Sequence, residues 1–142
     1  MNNQENSRKF KHKVKIQIRF SDIDAVNHVN NSIISQYYDV GRINYFQEIL
    51  GEKFDWSDVL AVVVNTENNY YHSINQRDNI FVETKLEKFG LKSMTMFQQI
   101  VEENTNIIKS TCKTILAGYD KINHCSAEIP EDFKRKFLEF EK

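Results

Sequence analysis

The chain has 142 residues, of which 40% are hydrophobic and 27% charged. These values are typical of a globular protein and allow one domain with a buried core. Its 19 basic and 20 acidic side chains leave a formal net charge of −1. No global field therefore draws the chain towards nucleic acid or a membrane surface, and a polyanionic ligand would need a local basic patch.

The N-terminal residues 1–10 are polar and have no apolar h-region, which predicts a disordered tail before a single domain over 11–142. No run is apolar enough to span a bilayer. The two cysteines, Cys112 and Cys125, form no CxxC pair and have no metal-ligand spacing, which predicts reduced thiols. We therefore expect a cytoplasmic protein.

The first regular element is predicted over residues 13–20, where apolar and polar side chains alternate. This period of two is typical of a half-buried strand. A loop over 21–29 follows. The inward side chains of the strand would be Val14, Ile16, Ile18 and Phe20.

A long helix is predicted next, with Asn30 or Asn31 as its N-cap and Gly51 just after its end at Leu50. Apolar and aromatic positions cover much of its circumference, which predicts a helix wrapped by other structure. The aromatic positions Tyr37, Tyr38, Tyr45 and Phe46 favour packing in the core over lining an acyl pocket.

The remainder of the chain predicts strands joined by short turns, followed by a short helix. A strand, a long helix and four further strands indicate an α+β domain, with an antiparallel sheet wrapped around one helix. The predicted strands are 60–72, 80–86, 93–102 and 107–119, with turns at 75–79, Gly90 and 103–106. Pro130 would open a C-terminal helix with Phe133, Phe137 and Phe140 on one face.

The loop between the first strand and the long helix contains most of the candidate chemistry. Its acidic residues precede a helix N-terminus, where backbone N–H groups and the helix dipole favour negative charge. Asp24 could attack a carbonyl carbon or deprotonate a water molecule, while those N–H groups polarise the carbonyl. Asp22 is two residues away and would point to the opposite side, so it more simply accepts hydrogen bonds from the loop backbone.

The same loop and helix resemble the pattern Asp-x-Asp-x-x-x-His-Val-Asn-Asn of hot-dog-fold acyl-CoA thioesterases, in the 4-hydroxybenzoyl-CoA thioesterase-like family. The order of predicted elements matches the hot-dog fold. A second family pattern is only partly kept, because Ser73 and Arg77 stand where Pro and Gly are usual, whereas Tyr70 and Asp78 fit. The first pattern falls on Asp22, Asp24, His28, Val29, Asn30 and Asn31, then Tyr37, Tyr38, Asp39 and Arg42.

This resemblance implies hydrolysis of an acyl thioester to a free acid and coenzyme A, with Asp24 as nucleophile or general base. It implies no cofactor apart from the coenzyme A of the substrate, and assembly as a homodimer or homotetramer with sites at the subunit interface. His28, Asn30 and Asn31 are the candidate substrate-binding residues. For His28 a hydrogen bond to its own loop is an equal alternative, and for the asparagines helix capping is the preferred role.

Other readings of the same residues are less favoured. Asp22, Asp24 and His28 lack a second histidine at ligand spacing, which argues against a metal site. The haloacid-dehalogenase-like pattern at 22–26 would need a parallel sheet, which the chain does not predict. Asp39 and Arg42 favour an ion pair three residues apart. Lys85, Lys88 and Lys92 are candidates for coenzyme A phosphates but favour a solvated face.

Two alternative functions remain open at this stage. One is a thioesterase acting on acyl carrier protein, which would need a basic groove for the acidic carrier. The other is a hot-dog module that binds an acyl thioester without hydrolysing it. Asp24 argues against the second alternative, because a pure binding module needs no carboxylate there.

Overall fold

The computed structural model describes residues 9–52 and 61–142, which form an antiparallel sheet packed against one long helix. The predicted α+β architecture is confirmed. No helix in these two ranges is long and apolar enough to cross a bilayer. The strands are β1 (His12–Ile16), β2 (Ala61–Tyr70), β3 (Ile80–Phe89), β4 (Ser93–Glu102), β5 (Ile108–Asp120) and β6 (Cys125–Ser126), and the helices are α1 (Asn31–Leu50) and α2 (Glu131–Phe140).

The strand order is β1-β3-β4-β5-β2, with β6 paired to the end of β5. Tight turns join β3 to β4 and β4 to β5, as predicted: Gly90 N–H donates to Ser93 O at 2.9 Å, and Glu102 N–H donates to Ile107 O at 2.9 Å. Both connections are short enough to make these three strands antiparallel neighbours. The two edge strands of this path are therefore β1 and β2.

The long helix α1 packs one face against the sheet, and its backbone approaches β3 closely at Gly41. A Cβ built on Gly41 would overlap Val82 and lie 3.1 Å from the Gln98 amide nitrogen. The opposite face is open, with Val40 and Ile43 exposed. The sheet therefore wraps one face of α1, as the predicted fold requires, and the helix is less buried than its many apolar positions predicted. The buried positions of α1 are Ile34, Tyr37, Tyr38, Gly41, Tyr45 and Phe46.

The C-terminal helix α2 closes one end of the core with aromatic side chains, as predicted. Phe137 is fully buried, and Phe133 and Phe140 pack against the same cluster. The Tyr45 hydroxyl donates to Glu141 at 2.6 Å, which ties the end of α2 to α1. The burial of these phenylalanine side chains is the main contribution that stabilises such a short terminal helix.

The first predicted strand is wrong at its C-terminal end, since β1 stops at Ile16. Phe20, expected on the inward face, is 83% exposed and lies in a 3₁₀ turn over Phe20–Asp22. Asp22 explains the difference: its N–H donates to Arg19 O at 2.9 Å, and its carboxylate accepts the Arg19 N–H at 2.9 Å. These local bonds turn the chain away from β3.

Residues 1–8 of the predicted tail and Leu60 of the predicted 60–72 strand lie outside the described residues. Of the tail, Phe10 stacks on Phe97 with ring centroids 6.2 Å apart, and Lys9 O accepts the Lys85 ammonium at 3.4 Å. The strand β6 has no counterpart in the sequence prediction. Its two residues are too few for a hydrophobic period to reveal.

Candidate active site

The loop carrying Asp24 is closed on itself by backbone hydrogen bonds. Asp24 N–H donates to His28 O at 2.9 Å, and Ile23 and Val29 form a single antiparallel bridge. Asn27 has φ 64°, a left-handed conformation that asparagine tolerates better than most residues. The Asp24 Oδ1 atom accepts N–H bonds from Val26 at 3.0 Å and His28 at 3.4 Å. The loop therefore fixes one carboxylate oxygen of Asp24, while no side chain in the described residues bonds to Oδ2.

Asp22 anchors this loop to α1 and is 1% exposed. The Tyr37 hydroxyl donates to Asp22 Oδ2 at 2.6 Å, and the Arg19 guanidinium lies 3.2 Å from Oδ1. Burial alone would raise the pKa of Asp22, but these hydrogen bonds and the nearby charge hold that pKa below its usual value. Burial and the bond to Asp22 together raise the pKa of the Tyr37 hydroxyl. Asp22 is thus an ionised structural anchor.

A second segment faces the Asp24 loop across a cavity of about 340 Å³. It begins at the end of β2 and includes Ile74, whose carbonyl accepts the Val29 N–H at 2.9 Å. The Ile74 side chain is fully buried, which fixes this segment to the core. The cavity is lined by Asp24, Val26, His28, Val29, Asn31 and Ile34 on one side, and by Tyr70, Tyr71, His72, Ser73 and Ile74 on the other.

The turn from residue 71 to residue 79 has no strand partner and is held by Lys109 at the start of β5. The Lys109 carbonyl accepts N–H bonds from Tyr71 at 2.9 Å and His72 at 3.0 Å. The Lys109 ammonium donates to Ser73 O at 3.0 Å and lies 3.2 Å from the Asp78 carboxylate. Asp78 in turn accepts the Asn75 N–H at 2.9 Å. The turn is ordered in spite of the missing Pro and Gly at 73 and 77.

The comparisons with known proteins agree with this fold. The family model described as the thioesterase-like superfamily matches residues 18–137. The chain belongs to the thioesterase-like superfamily. The predicted family resemblance is therefore confirmed.

Individual relatives of this superfamily member are distant. An uncharacterised protein from Bacillus subtilis, YsmA, is 26% identical over 82 residues, which are 58% of this chain and only 55% of that protein. The match therefore spans about half the length of the curated relative. A thioesterase from Thermus thermophilus, solved in complex with coenzyme A and Zn, is 26% identical over 93% of this chain and 95% of its own, with a TM-score of 0.83.

A second solved structure shows how far the fold extends beyond sequence similarity. A 1,4-dihydroxy-2-naphthoyl-CoA thioesterase from Synechocystis has a TM-score of 0.81, covering 92% of this chain and 97% of its own, at 9% identity. At that identity the likeness concerns the fold alone. Together these structures identify the fold of this chain as the hot-dog fold, as the sequence predicted.

The predicted site residues separate into two groups in the structure. Asp24, His28 and Asn31 line the cavity. Asn30 does not line it, because its side-chain oxygen caps α1 and accepts the Ser32 N–H at 2.9 Å and the Ser32 hydroxyl at 2.7 Å. The catalytic role of Asp24 and the substrate-binding roles of His28, Asn30 and Asn31 stay predictions.

Three residues of the cavity were missed in the sequence. The sequence places Tyr70 in the second family pattern, and Tyr71 and His72 at the end of the predicted 60–72 strand. The turn at 71–79 brings them opposite Asp24, although they are more than forty positions away in sequence. The run Tyr-Tyr-His directly before a polar turn was the available signal, since exposed aromatics at a strand end often contact ligands.

The other chemical groups singled out in the sequence lie away from the cavity lining. Tyr37, Tyr38, Tyr45 and Phe46 are buried in the core, which agrees with the preferred packing role. The ion pair predicted between Asp39 and Arg42 is confirmed at 2.9 Å.

A metal centre has no support from the described residues. In the ranges 9–52 and 61–142, no three His, Cys, Asp or Glu side chains converge in a way that could hold a metal ion. Asp24, His28 and His72 share the cavity lining without forming such a group.

Proposed function

We propose that this superfamily member hydrolyses an acyl thioester of coenzyme A to the free acid and the thiol, with Asp24 as the reacting carboxylate. The observation that supports it is the Asp24 carboxylate at the rim of the cavity beside the N-terminus of α1. Two loop N–H groups bond to Oδ1 and fix its position, which leaves Oδ2 for the nucleophilic or general-base role.

The donor for the developing oxyanion would come from the first turn of α1. In that turn the N–H groups of Ser32, Ile33 and Ile34 already bond to Asn30. The Asn31 N–H has no acceptor among the described residues, and the Asn31 side chain lines the cavity. We therefore assign polarisation of the thioester carbonyl to the Asn31 N–H, assisted by the positive end of the helix dipole.

Two routes use Asp24 differently. As a nucleophile, Asp24 Oδ2 would attack the carbonyl carbon, expel the thiolate and leave a mixed anhydride that water then cleaves. As a general base, it would take a proton from the water that attacks the carbonyl carbon. A single turnover in H₂¹⁸O, followed by mass spectrometry of the Asp24 peptide, detects the nucleophilic route: ¹⁸O in Asp24 shows that an anhydride formed and that water attacked its aspartyl carbonyl.

The coenzyme A phosphates need cations near this cavity. Lys15 and Arg77 line a notch of about 510 Å³ where β1 ends beside the 71–79 turn. Within the described ranges neither forms an ion pair, and their notch also contains the carboxamides of Gln17, Gln76 and Asn79. The Asp78 carboxylate lies in the notch too, but it is paired with the Lys109 ammonium at 3.2 Å. We propose that these two cations bind the phosphates, because the notch and the cavity lie along the same turn.

The three lysines named as phosphate candidates in the sequence, for which a solvated face was preferred, are less suitably placed. Lys85 and Lys88 line a different cleft of about 400 Å³ with Lys113, and Lys92 does not line it. Strand β3 begins at Ile80, beside the notch, and Lys85 lies five residues further along it. The distance between these two positions along the strand is roughly 16 Å. A phosphate in that cleft would lie far from the Asp24 loop.

A truncated substrate tests the notch. We expect Lys15→Ala/Arg77→Ala to raise KM for an acyl-CoA about ten-fold and to leave hydrolysis of the matching N-acetylcysteamine thioester unchanged, since that ester has no phosphate. Lys85→Ala/Lys88→Ala is the matched control with unchanged KM for both esters. Equal losses on both esters in the notch variant would show that the two cations do not bind phosphate.

The edge strand β2 favours a homodimer. Val62, Val63 and Val64 are 43%, 45% and 58% exposed along a ten-residue strand that, within residues 9–52 and 61–142, pairs with β5 on one side and with no strand on the other. Such an edge invites pairing with another chain. We propose that two copies pair through β2, which would bring the partner chain next to the Tyr70 end of the cavity.

The activity itself is tested with a panel of short, long and aromatic acyl-CoA esters and a colorimetric trap for the released thiol. We expect turnover on at least one ester, and the panel then identifies the acyl class. Turnover only on acyl carrier protein thioesters would replace coenzyme A by the carrier as the substrate. Binding of coenzyme A without turnover on either class would identify a non-catalytic binding module.

A further inference from the structure

Lys109 interrupts the regular pairing of β4 with β5. Ile100 lies opposite Ser110 and Val101 lies opposite Ile108, so Lys109 is the extra residue of a β-bulge. Lys109 and Ser110 are consecutive buried residues, which breaks the alternation of a regular strand. Bulges redirect a side chain and are common beside active sites.

The redirected ammonium lies under the 71–79 turn. The Lys109 side chain is only 10% exposed, and an ammonium at that burial is costly unless it is paired. Its partners are the Ser73 carbonyl and the Asp78 carboxylate, at opposite ends of the turn. One cation therefore fixes both ends of the segment 73–78, which carries Ile74 and directly follows His72.

The fixed turn is linked to the Asp24 loop by successive hydrogen bonds. The Ile74 carbonyl accepts the Val29 N–H at 2.9 Å, and next to Val29 the His28 carbonyl accepts the Asp24 N–H at 2.9 Å. A displacement of the turn would thus reach the Asp24 carboxylate through these two hydrogen bonds. Misplacing a reacting group by about 1 Å can lower a rate about 100-fold.

We propose that Lys109 and Asp78 are positioning residues for the reaction: they set the separation between the His72 wall of the cavity and the Asp24 loop. This inference rests on the proposed thioesterase function. Neither side chain lines the cavity, so neither contacts the reacting atoms there. Their effect reaches the substrate through the 71–79 turn.

Steady-state kinetics of Lys109→Met test this role. We expect kcat to fall about 10- to 100-fold, because the wall is displaced. Arg77 lies on the same turn, so KM for an acyl-CoA should rise as well, whereas the matching N-acetylcysteamine thioester reports the loss of kcat without the phosphate contacts. Lys109→Arg keeps the cation and the donor and should recover most of kcat. Lys113→Met, an exposed lysine on the same strand, is the matched control and should keep the wild-type kcat.

A double-mutant cycle shows whether the pair acts as one unit. Asp78→Asn should lower kcat, and Lys109→Met/Asp78→Asn should be little worse than either single variant. Additive losses would contradict a shared positioning role. Wild-type kcat in Lys109→Met, or failure of Lys109→Arg to restore it, would overturn the proposal.

Amide hydrogen exchange separates this proposal from the activity. In Lys109→Met the Val29 and His72 amides should exchange at least ten-fold faster, whereas Ile34 in α1 should be unchanged. This result can be measured even if no thioester is hydrolysed. Unchanged exchange at Val29 would overturn the positioning role whether or not the wild-type protein is a thioesterase.

Discussion

Asp22 and Asp24 are two residues apart and occupy very different environments. Asp22 is buried against Tyr37 and Arg19, whereas Asp24 keeps one oxygen towards an open cavity. Extended backbone between them accounts for this, because alternate side chains point to opposite sides. The sequence could predict this difference, but it could not identify Tyr37, fifteen residues away, as the partner of Asp22.

Replacing the buried anchor should destabilise the fold in a pH-dependent way. We expect Asp22→Asn to lower the free energy of unfolding by about 1–3 kcal/mol at pH 7, because Tyr37 and Arg19 lose a charged acceptor. Urea denaturation of both proteins between pH 2 and pH 7 measures this. Asp132→Asn, at a carboxylate that is 82% exposed, is the control.

The pH dependence follows from the lowered pKa of Asp22. Its ionised form is favoured in the folded state, so the stabilisation is complete above the usual value of 3.8 and is lost as pH falls through the lower folded pKa. The difference between wild type and Asp22→Asn should therefore shrink below about pH 4. A difference that stays constant to pH 2 would show that Asp22 is not stabilised as an ion.

The two cavity histidines are expected to contact substrate. His28→Gln and His72→Gln should each lower kcat/KM about ten-fold, the effect of losing one hydrogen bond of about 1.4 kcal/mol. His124, which contacts Tyr119 near β6, supplies the control His124→Gln. Steady-state assays on the best ester of the panel measure kcat/KM for the three variants and the wild-type protein. Wild-type values for both cavity variants would exclude imidazole contacts with the substrate.

At the scale of elements, α1 depends on a close contact with β3. A methyl group on Gly41 would overlap Val82, and neither backbone can move without disturbing the core. We expect Gly41→Ala to destabilise the protein by about 1–3 kcal/mol despite the better helix propensity of alanine. Thermal unfolding measures the loss, with Gln36→Ala on the exposed face as the control.

A melting temperature of Gly41→Ala at or above that of wild type would contradict this packing.

The buried face of α1 follows from apolar residues three and four positions apart, and the sequence predicted the helix and its cap well. The open face with Val40 and Ile43 was not predicted, because a single chain does not reveal which apolar residues its own sheet covers. The 3₁₀ turn at Phe20 was also missed, since local side-chain bonds there override the alternating pattern.

At the scale of the molecule, the four strands after α1 were predicted near their observed bounds, because each is an apolar or alternating run that ends at a polar turn. The cavity was not predicted as a whole. It depends on the 71–79 turn and on Lys109, whose bulge has no period in the sequence. Long-range pairing of this kind joins residues that no local pattern connects.

The β2 edge makes a prediction about assembly. Val63→Lys should shift the protein from dimer to monomer in sedimentation equilibrium, because a lysine on an edge strand opposes pairing. Ile122→Lys, at an 88% exposed position in the turn before β6, should keep the dimer. A monomeric wild-type protein, or an unchanged dimer in Val63→Lys, would contradict pairing through β2.

The most direct test of the proposed chemistry is the kcat of Asp24→Asn on the best thioester, measured beside its melting temperature. Asparagine keeps the acceptor for the Val26 and His28 N–H groups, so the loop and the melting temperature should be preserved. We expect kcat to fall at least 1000-fold, because the amide can neither attack the carbonyl carbon nor accept a proton. A kcat within about five-fold of wild type in a folded variant would show that Asp24 is not the reacting carboxylate.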